Sequence, residues 1–297
     1  MPELPEVETV RRDCEATLIG HTINRVEVCH RKPINGAPED FAQALKGKKF
    51  LSFSREGKMI TAHLSGGLSL AIHLKMTGQL IIAQKDGELS GGGHPDSLHT
   101  FPNAHTRIIF HCSDGAMLYF NDQRLFGWVH LIKKGDSSEF SARLGPDAFT
   151  ALPQLDYFQV YQARYPRRTI KAMLLDQGFI AGIGNIYADE ICWAVKVHPA
   201  MPLSSIDVKK MGDIRTSIRS ILKNAVACRG TTFRSFVDGS GMPGGYVTCL
   251  EVYGRAGLPC SRCKTLIVKE KHAQRGTAFC PKCQHSPLPV HSKNKRS

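Results

Sequence analysis

Hydrophobic positions along the 297-residue chain change their period twice, and those changes divide it. Near the start, Val7, Val10, Cys14 and Leu18 recur at spacings of three and four, the stripe of one helical face. Pro5 suits the first turn of that helix and Gly20 its stop. The period then drops to two. Leu68, Leu70, Ile72 and Leu74 alternate with small or polar residues, and Gly66-Gly67 separates them from the run over 59–64 as a hairpin turn. Asp114-Gly115 divides 105–111 from 116–121 in the same way. Residues 21–135 therefore read as antiparallel strands of a β-sandwich, with a long polar loop over 84–104. Past Leu144-Gly145-Pro146 the helical period returns. Ile170, Met173 and Leu174 lead into Gly178; Ile186, Ala188 and Ile191 follow Asn185; Ile214, Ile218, Ile221, Leu222 and Ala225 close the series. A glycine-rich loop over 237–246, a short cysteine module and a basic tail finish the chain.

Charge narrows the partner. The chain carries 39 Lys and Arg against 26 Asp and Glu, a formal charge of +13, which points to a polyanion. The excess is steepest over 264–297, where eight basic residues face Glu270 alone. Nucleic acid is the first candidate and an anionic membrane the second, but no basic amphipathic helix stands out to serve a membrane. No stretch approaches the roughly 18 apolar residues of a membrane span, and the first residues lack the apolar core of a secretory signal. The compartment expected is the cytosol.

Of the ten cysteines, Cys14, Cys29, Cys112, Cys192, Cys228 and Cys249 are scattered singly and read as inert thiols of a reducing compartment. The other four stand as Cys260-x2-Cys263-x16-Cys280-x2-Cys283, the spacing of a zinc ribbon in which two knuckles each give two sulfurs. Sulfur at all four positions makes one structural Zn2+ the expected cofactor. Arg275 lies between the knuckles, where a hairpin presents it either to a phosphate or to solvent.

The opening Met1-Pro2-Glu3-Leu4-Pro5-Glu6-Val7-Glu8 carries a second signal. With Met1 trimmed, Pro2 becomes a terminal secondary amine, and an α-amino group near pKa ~7.7–8.0 is partly uncharged at neutral pH. Such an amine attacks an electrophilic carbon to form an iminium. The positive end of the following helix favours the free base, and Glu3 stands beside it to move protons. Read alone, the same residues also fit an acidic helix start. Gly182-Ile183-Gly184-Asn185 follows a helical run rather than a strand, which argues against a dinucleotide fingerprint; Asn185 reads as a helix cap that also reaches a backbone oxygen. Lys58 follows a turn, Met76 sits in His73-Leu74-Lys75-Met76-Thr77-Gly78, and Arg124 with Phe126 follows a strand; an arginine beside an apolar wedge suits a gap in a base stack.

Together these motifs resemble the formamidopyrimidine-DNA glycosylase family over residues 1–285. The resemblance implies an α+β fold: an N-terminal β-sandwich with a leading helix, a helical helix–two-turn–helix domain and a four-cysteine zinc finger. The corresponding boundaries are 1–135, a linker over 136–152, 153–250, 251–286 and a basic tail over 287–297. It implies removal of oxidised purines from double-stranded DNA through a Schiff base of Pro2, followed by strand cleavage at the abasic site, by a monomer acting in the bacterial cytoplasm on the nucleoid, with no membrane. Glu3 is then the acid/base, Lys58 the proton donor of β-elimination and Arg275 the δ-elimination residue. Met76, Arg124 and Phe126 fill the hole left by the extruded nucleotide, and His105, Arg167, Lys171, Asn185 and Tyr253 touch or flank the DNA backbone. The family usually has Arg-Arg-Phe where this chain has Arg124-Leu125-Phe126, which bears on opposite-base selectivity. An endonuclease VIII-like enzyme for oxidised pyrimidines is the nearest alternative, though that branch usually begins Pro-Glu-Gly-Pro; a non-catalytic damage-binding protein is the other.

Overall fold

The computed structural model describes residues 1–94, 100–133, 141–232, 237–238 and 242–285. The basic tail, part of the 136–152 linker, and parts of the 84–104 and 237–246 loops lie outside the described residues. The chain forms two compact units, one of Met1–Leu144 with Asn224–Thr248, the other of Gly145–Lys223 with Cys249–Ser297.

The first unit opens with helix α1 (Leu4–Leu18), whose Pro lies in the first turn. Strand β1 (Ile23–Val28), helix α2 (Pro38–Leu45), and strands β2 (Phe50–Glu56), β3 (Met59–Leu64), β4 (Ser69–His73), β5 (Gly78–Ala83), β6 (Leu89–Gly93), β7 (Thr106–Cys112), β8 (Met117–Asp122) and β9 (Trp128–Ile132) follow. With the two-residue β10 (Val237–Asp238) they build two antiparallel sheets, ordered β1-β7-β8-β5-β6-β10 and β2-β3-β4-β9. The expected hairpins form in register, Ile60 facing Ile72 and Ile109 facing Tyr119. Alternate strand residues such as Phe50, Ile72, Ile82 and Phe110 meet Val7, Val10, Cys14 and Leu18 of α1 and Phe41 and Leu45 of α2 in one buried core. Each large side chain enclosed there contributes about 1.5–3 kcal/mol.

One expectation changes. The polar loop over 84–104 contains β6, because Gly91 and its neighbours let two backbones approach closer than side chains allow. A Cβ on Gly91, whose φ is +97°, would lie 2.2 Å from the Leu80 carbonyl oxygen. Phe101, from the same segment, packs with Ile81, Ile109 and Tyr119 on the outer face of that sheet. Residues 224–248, which the resemblance groups with the helical domain, cluster by contact with the first unit. Three bonds account for this: Arg229 pairs with Asp13, Thr231 bonds to Glu6, and β10 extends β6.

The second unit contains α3 (Leu155–Arg164), α4 (Ile170–Leu175), α5 (Asn185–Ala194), most of α6 (Val208–Ala227) and a hairpin of β11 (Val268–His272) and β12 (Arg275–Phe279). Two consecutive polar residues shape the connection between α4 and α5. Asp176 accepts the Gly178 N–H at 3.0 Å through Oδ1 and, through its carbonyl, those of Phe179 and Ile180. Gln177 then donates to the Leu175 and Ile183 carbonyls and accepts the Gly182 N–H. Each residue thus fixes one of two successive turns, which explains the helix–two-turn–helix shape. Among the described residues, no helix is long and apolar enough to cross a membrane.

Gly91→Ala is expected to destabilise the first unit by about 2 kcal/mol more than Gly87→Ala. Both positions have positive φ, but a Cβ at Gly87 meets nothing within 4 Å. Urea unfolding followed by tryptophan fluorescence checks the difference, and equal midpoints would show that β6 does not need its close approach to β5.

Candidate active site and metal centre

At the head of the first unit, Glu3 and Glu6 close a reciprocal capping box around the start of α1. Glu6 Oε2 accepts the Glu3 N–H at 2.8 Å, and Oε1 accepts the Thr231 N–H at 2.7 Å. Gly230 makes room for this, since a Cβ there would lie 2.9 Å from Glu6 Oε1. Pro2 and Glu3 are buried while Met1 is exposed.

One turn further along α1, Glu8 bonds to Arg11, Arg12 and Arg55. Burial alone raises its carboxyl, but those guanidinium groups outweigh burial and hold it below the usual range. Arg55 also donates to the Gly57 carbonyl at 2.8 Å. Glu8 thereby ties the β2–β3 turn, and with it the buried Lys58, to the first half of α1. Nearby, burial first, then Lys75 and Lys58, push the His73 imidazole down to about 3, and its Nδ1 accepts the Lys75 N–H. His73 is a neutral ring beside the lysines, not a third cation.

Asp122 does the equivalent work for the loops of Met76, Arg124 and Phe126. Its Oδ1 accepts from the Thr77 hydroxyl and from the Arg124 N–H at 3.1 Å, and its Oδ2 from the Gly127 N–H at 2.6 Å. The loop bearing Met76 and the loop bearing Arg124 and Phe126 are joined through this one carboxylate. Arg124 lies over the Phe126 ring, 4.7 Å from its centroid, and both Met76 and Phe126 are exposed. The His105 carbonyl accepts the Asp122 N–H, so His105 sits beside the same anchor.

In the second unit, Asn185 is not the cap. Gly184 occupies that position, and the Asn185 amide donates to the Gly276 carbonyl at 2.9 Å. Lys171 is fully enclosed. Its ammonium donates to Asp189 at 2.6 Å, to the Thr277 hydroxyl at 2.7 Å and to the Gly276 carbonyl. Asp189 also accepts the Ala278 N–H, and burial, opposed by Lys171, pushes its carboxyl up to about 7. These bonds hold the strand that begins at the exposed Arg275. Ala273 and Gln274 complete the turn in left-handed backbone. Between that turn and α4 lies an open groove of about 680 Å³ lined by Arg168, Asp176, Gln274 and Arg275. Arg167 is exposed next to Arg168, and the Tyr253 N–H is one of three that the buried Glu190 carboxylate accepts.

The sulfurs of Cys260, Cys263, Cys280 and Cys283 lie within 4.8 Å of one another. Zinc–sulfur bonds of ~2.3 Å in a tetrahedron place sulfurs ~3.8 Å apart, so the four thiols fit one zinc ion. Gln284 braces the second knuckle by accepting the Cys280 N–H and donating to the Val197 carbonyl.

Comparison with known proteins agrees with this geometry. Family models match in chain order: the formamidopyrimidine-DNA glycosylase N-terminal domain over residues 1–129, the H2TH domain of the same family over 144–237, and the zinc finger found in FPG and IleRS over 257–285. The formamidopyrimidine-DNA glycosylase of Heliobacterium modesticaldum is 38% identical over 288 residues, covering 96% of this chain and all of that protein. This chain belongs to the formamidopyrimidine-DNA glycosylase family. The enzyme of Pediococcus pentosaceus is also 38% identical, across 96% of this chain and 99% of its own length. A structure of Lactococcus lactis Fpg in complex with DNA containing an abasic site superposes with a TM-score of 0.85 at 30% identity, covering 96% and 100% of the two chains.

Within this family frame, the structure adds Glu6, Asp122 and Arg168 to the residues that shape the site. Glu6 has a readable signal in the Glu3-x-x-Glu6 spacing of a capping box. Arg168 and Asp122 have none, since their roles rest on contacts across loops.

Two expected outcomes follow. Lys171→Met leaves Asp189 buried without its cation and is expected to cost about 3–5 kcal/mol of the second unit's stability; Lys171→Met/Asp189→Leu should recover much of it in thermal unfolding. Stripping zinc with a chelator is expected to unfold residues 257–285 while the β-sandwich persists. Loss of hydrogen-exchange protection confined to that segment is the measurement.

Proposed function

We propose that this chain excises oxidised purines, 8-oxoguanine and formamidopyrimidines, from double-stranded DNA and then cuts the strand at the resulting abasic site. The placement of Pro2 carries the reading: it lies just before the positive end of α1, where the Glu6 carboxylate accepts the N–H of the next residue, Glu3, and Glu8 of the same helix anchors the Lys58 turn through Arg55. A base inside a duplex is out of reach, so the nucleotide leaves the stack at a cost of a few kcal/mol, less for a damaged base. Met76, Arg124 and Phe126, joined through Asp122, fill the space.

With Met1 removed, the Pro2 nitrogen lone pair attacks C1′ of the sugar. The C1′–N bond breaks, its electrons leave with the base, and Glu3 relays the protons that open the sugar ring and neutralise the leaving base. The C1′ iminium acidifies the C2′ proton. Loss of that proton expels the 3′ phosphate, with Lys58 as proton donor; a second elimination, assisted by Arg275, expels the 5′ phosphate. Water then releases Pro2. His105, Arg167, Asn185 and Tyr253 grip or flank the DNA backbone, a contact that is salt-sensitive and largely indifferent to sequence. Lys171, enclosed as it is, positions Arg275 without touching DNA. The tetrathiolate zinc shapes the knuckles on either side of Arg275 and supplies no chemistry to the reaction. The working division keeps 1–135 as the catalytic domain, 153–250 and 251–286 as the DNA-gripping helical and zinc-finger domains. A monomer in the bacterial cytoplasm, on nucleoid DNA, fits the bacterial relatives and the basic charge.

Borohydride is expected to trap a covalent complex between the Met1-trimmed protein and a duplex bearing 8-oxoguanine. Pro2→Gly, and the chain with Met1 retained, should reduce trapping at least about a hundred-fold, in line with loss of a nucleophile. Undiminished trapping without Pro2 would remove it from the role.

A further inference from the structure

A second group of ligand-type side chains lies at the other end of α1. His21 follows the helix, its N–H donating to the Leu18 carbonyl. Cys112 ends β7 directly opposite Ile23, and Asp114 sits in the β7–β8 turn. The His21 nitrogen, Cys112 sulfur and an Asp114 carboxylate oxygen all lie within 4.8 Å of one another. We propose that His21, Cys112 and Asp114 form a second metal site, which takes a zinc-like divalent cation.

The backbone fixes these three donors in place. The Ser113 N–H donates to the Thr22 carbonyl at 2.9 Å, the Cys112 N–H to the Ala116 carbonyl at 2.8 Å, and the Ala116 N–H to Asp114 Oδ1 at 3.2 Å. That last bond occupies one carboxylate oxygen and leaves Oδ2 toward His21. Asp114 Oδ2 stands 2.7 Å from His21 Nδ1, an ion-pair distance. A cation bound there takes the place of the proton between the two groups and draws on both of them at once. Cys112 is buried while the Asp114 side chain is half exposed, which gives an entry path from solvent.

The donor set selects the ion. A thiolate, an imidazole and one carboxylate suit zinc and related borderline metals, whereas calcium and magnesium require oxygen shells. On binding, the Cys112 proton leaves to solvent. Thiolate and carboxylate together then balance the two positive charges, so no net charge is left at the sheet edge. Three protein ligands leave a fourth position to water. A 15-residue α1 places this cluster roughly 22 Å from Pro2, at 1.5 Å per residue. The bound ion therefore acts as a clasp between the α1–β1 turn and the β7–β8 turn, separate from the reaction.

The test is zinc stoichiometry of the full chain, dialysed against micromolar Zn2+ and measured by elemental analysis. The wild-type protein is expected to hold two zinc ions per chain, and His21→Gln and Cys112→Ser one each. One ion in the wild type, or two in His21→Gln or Cys112→Ser, overturns the proposal. Because Cys112→Ser alters a buried position, His21→Gln and Asp114→Asn carry the same test at more exposed ones. Added Zn2+ should raise the Tm of the wild-type protein already loaded at its four cysteines, and leave the Tm of His21→Gln unchanged. Equal Tm increases in both proteins would also overturn it. Cleavage of an abasic duplex should be the same for His21→Gln and wild type; loss of cleavage would refute the clasp's separation from the reaction.

Discussion

A single buried carboxylate, Glu6, sets the geometry on which the head of the first unit depends. It is only 1% exposed, and a charge so enclosed survives only if its oxygens are bonded. Both are, by the backbone N–H groups of Glu3 and Thr231, and the helix N-terminus adds its dipole. The bond to Glu3 fixes the backbone next to Pro2, so Pro2 has little freedom to swing away. The bond to Thr231 draws in a segment more than two hundred positions along the chain. Gly230 is the matching concession, because any side chain there would meet the carboxylate it is meant to free.

The second unit uses the same device twice, with adjacent residues. Asp189 and Glu190 leave α5 about 100° apart, as consecutive helical residues do, and so reach different parts of the fold. Asp189 takes Lys171 on one oxygen and the Ala278 N–H on the other, which pins β12. Glu190 accepts the N–H groups of Glu251, Val252 and Tyr253, which pins the approach to the first knuckle. Burial pushes the Glu190 carboxyl up against the pull of those three donors. A helix that grips both ends of the zinc finger fixes where Arg275 stands, and the zinc then needs only to hold the knuckles closed.

What the sequence discloses and what it conceals follow from the range of the interaction concerned. Period-two runs with Gly66-Gly67 and Asp114-Gly115 between them encode hairpins locally, and the strands pair as the pattern requires. Cysteine spacing encodes the knuckles for the same reason. Strand β6 is hidden because its glycines read as a loop, although their lack of Cβ is what lets it join β5. Lys171 reads as a basic residue among basic residues. Its burial depends on Asp189 and Thr277, 18 and 106 positions away, and no local pattern announces such partners. Asn185 has the right residue type for a cap, but it begins the helix one position later and spends its amide on Gly276 instead.

Leu125 shows how the same reasoning separates geometry from charge. Its φ of +55° places it in the left-handed region, where any residue with a Cβ bears a cost of about 1–2 kcal/mol. An arginine would bear that cost equally. The loop is imposed from outside position 125, by the Asp122 carboxylate on the N–H groups of Arg124 and Gly127 and by the Thr77 hydroxyl. Replacing the family's second arginine with leucine therefore leaves the stack of Arg124 on Phe126 supported by the same bonds. What changes is the electrostatic field around Arg124 and Phe126. One cation remains where the family commonly has two, and the difference lies in charge and side-chain shape at position 125, with the path of the loop unchanged.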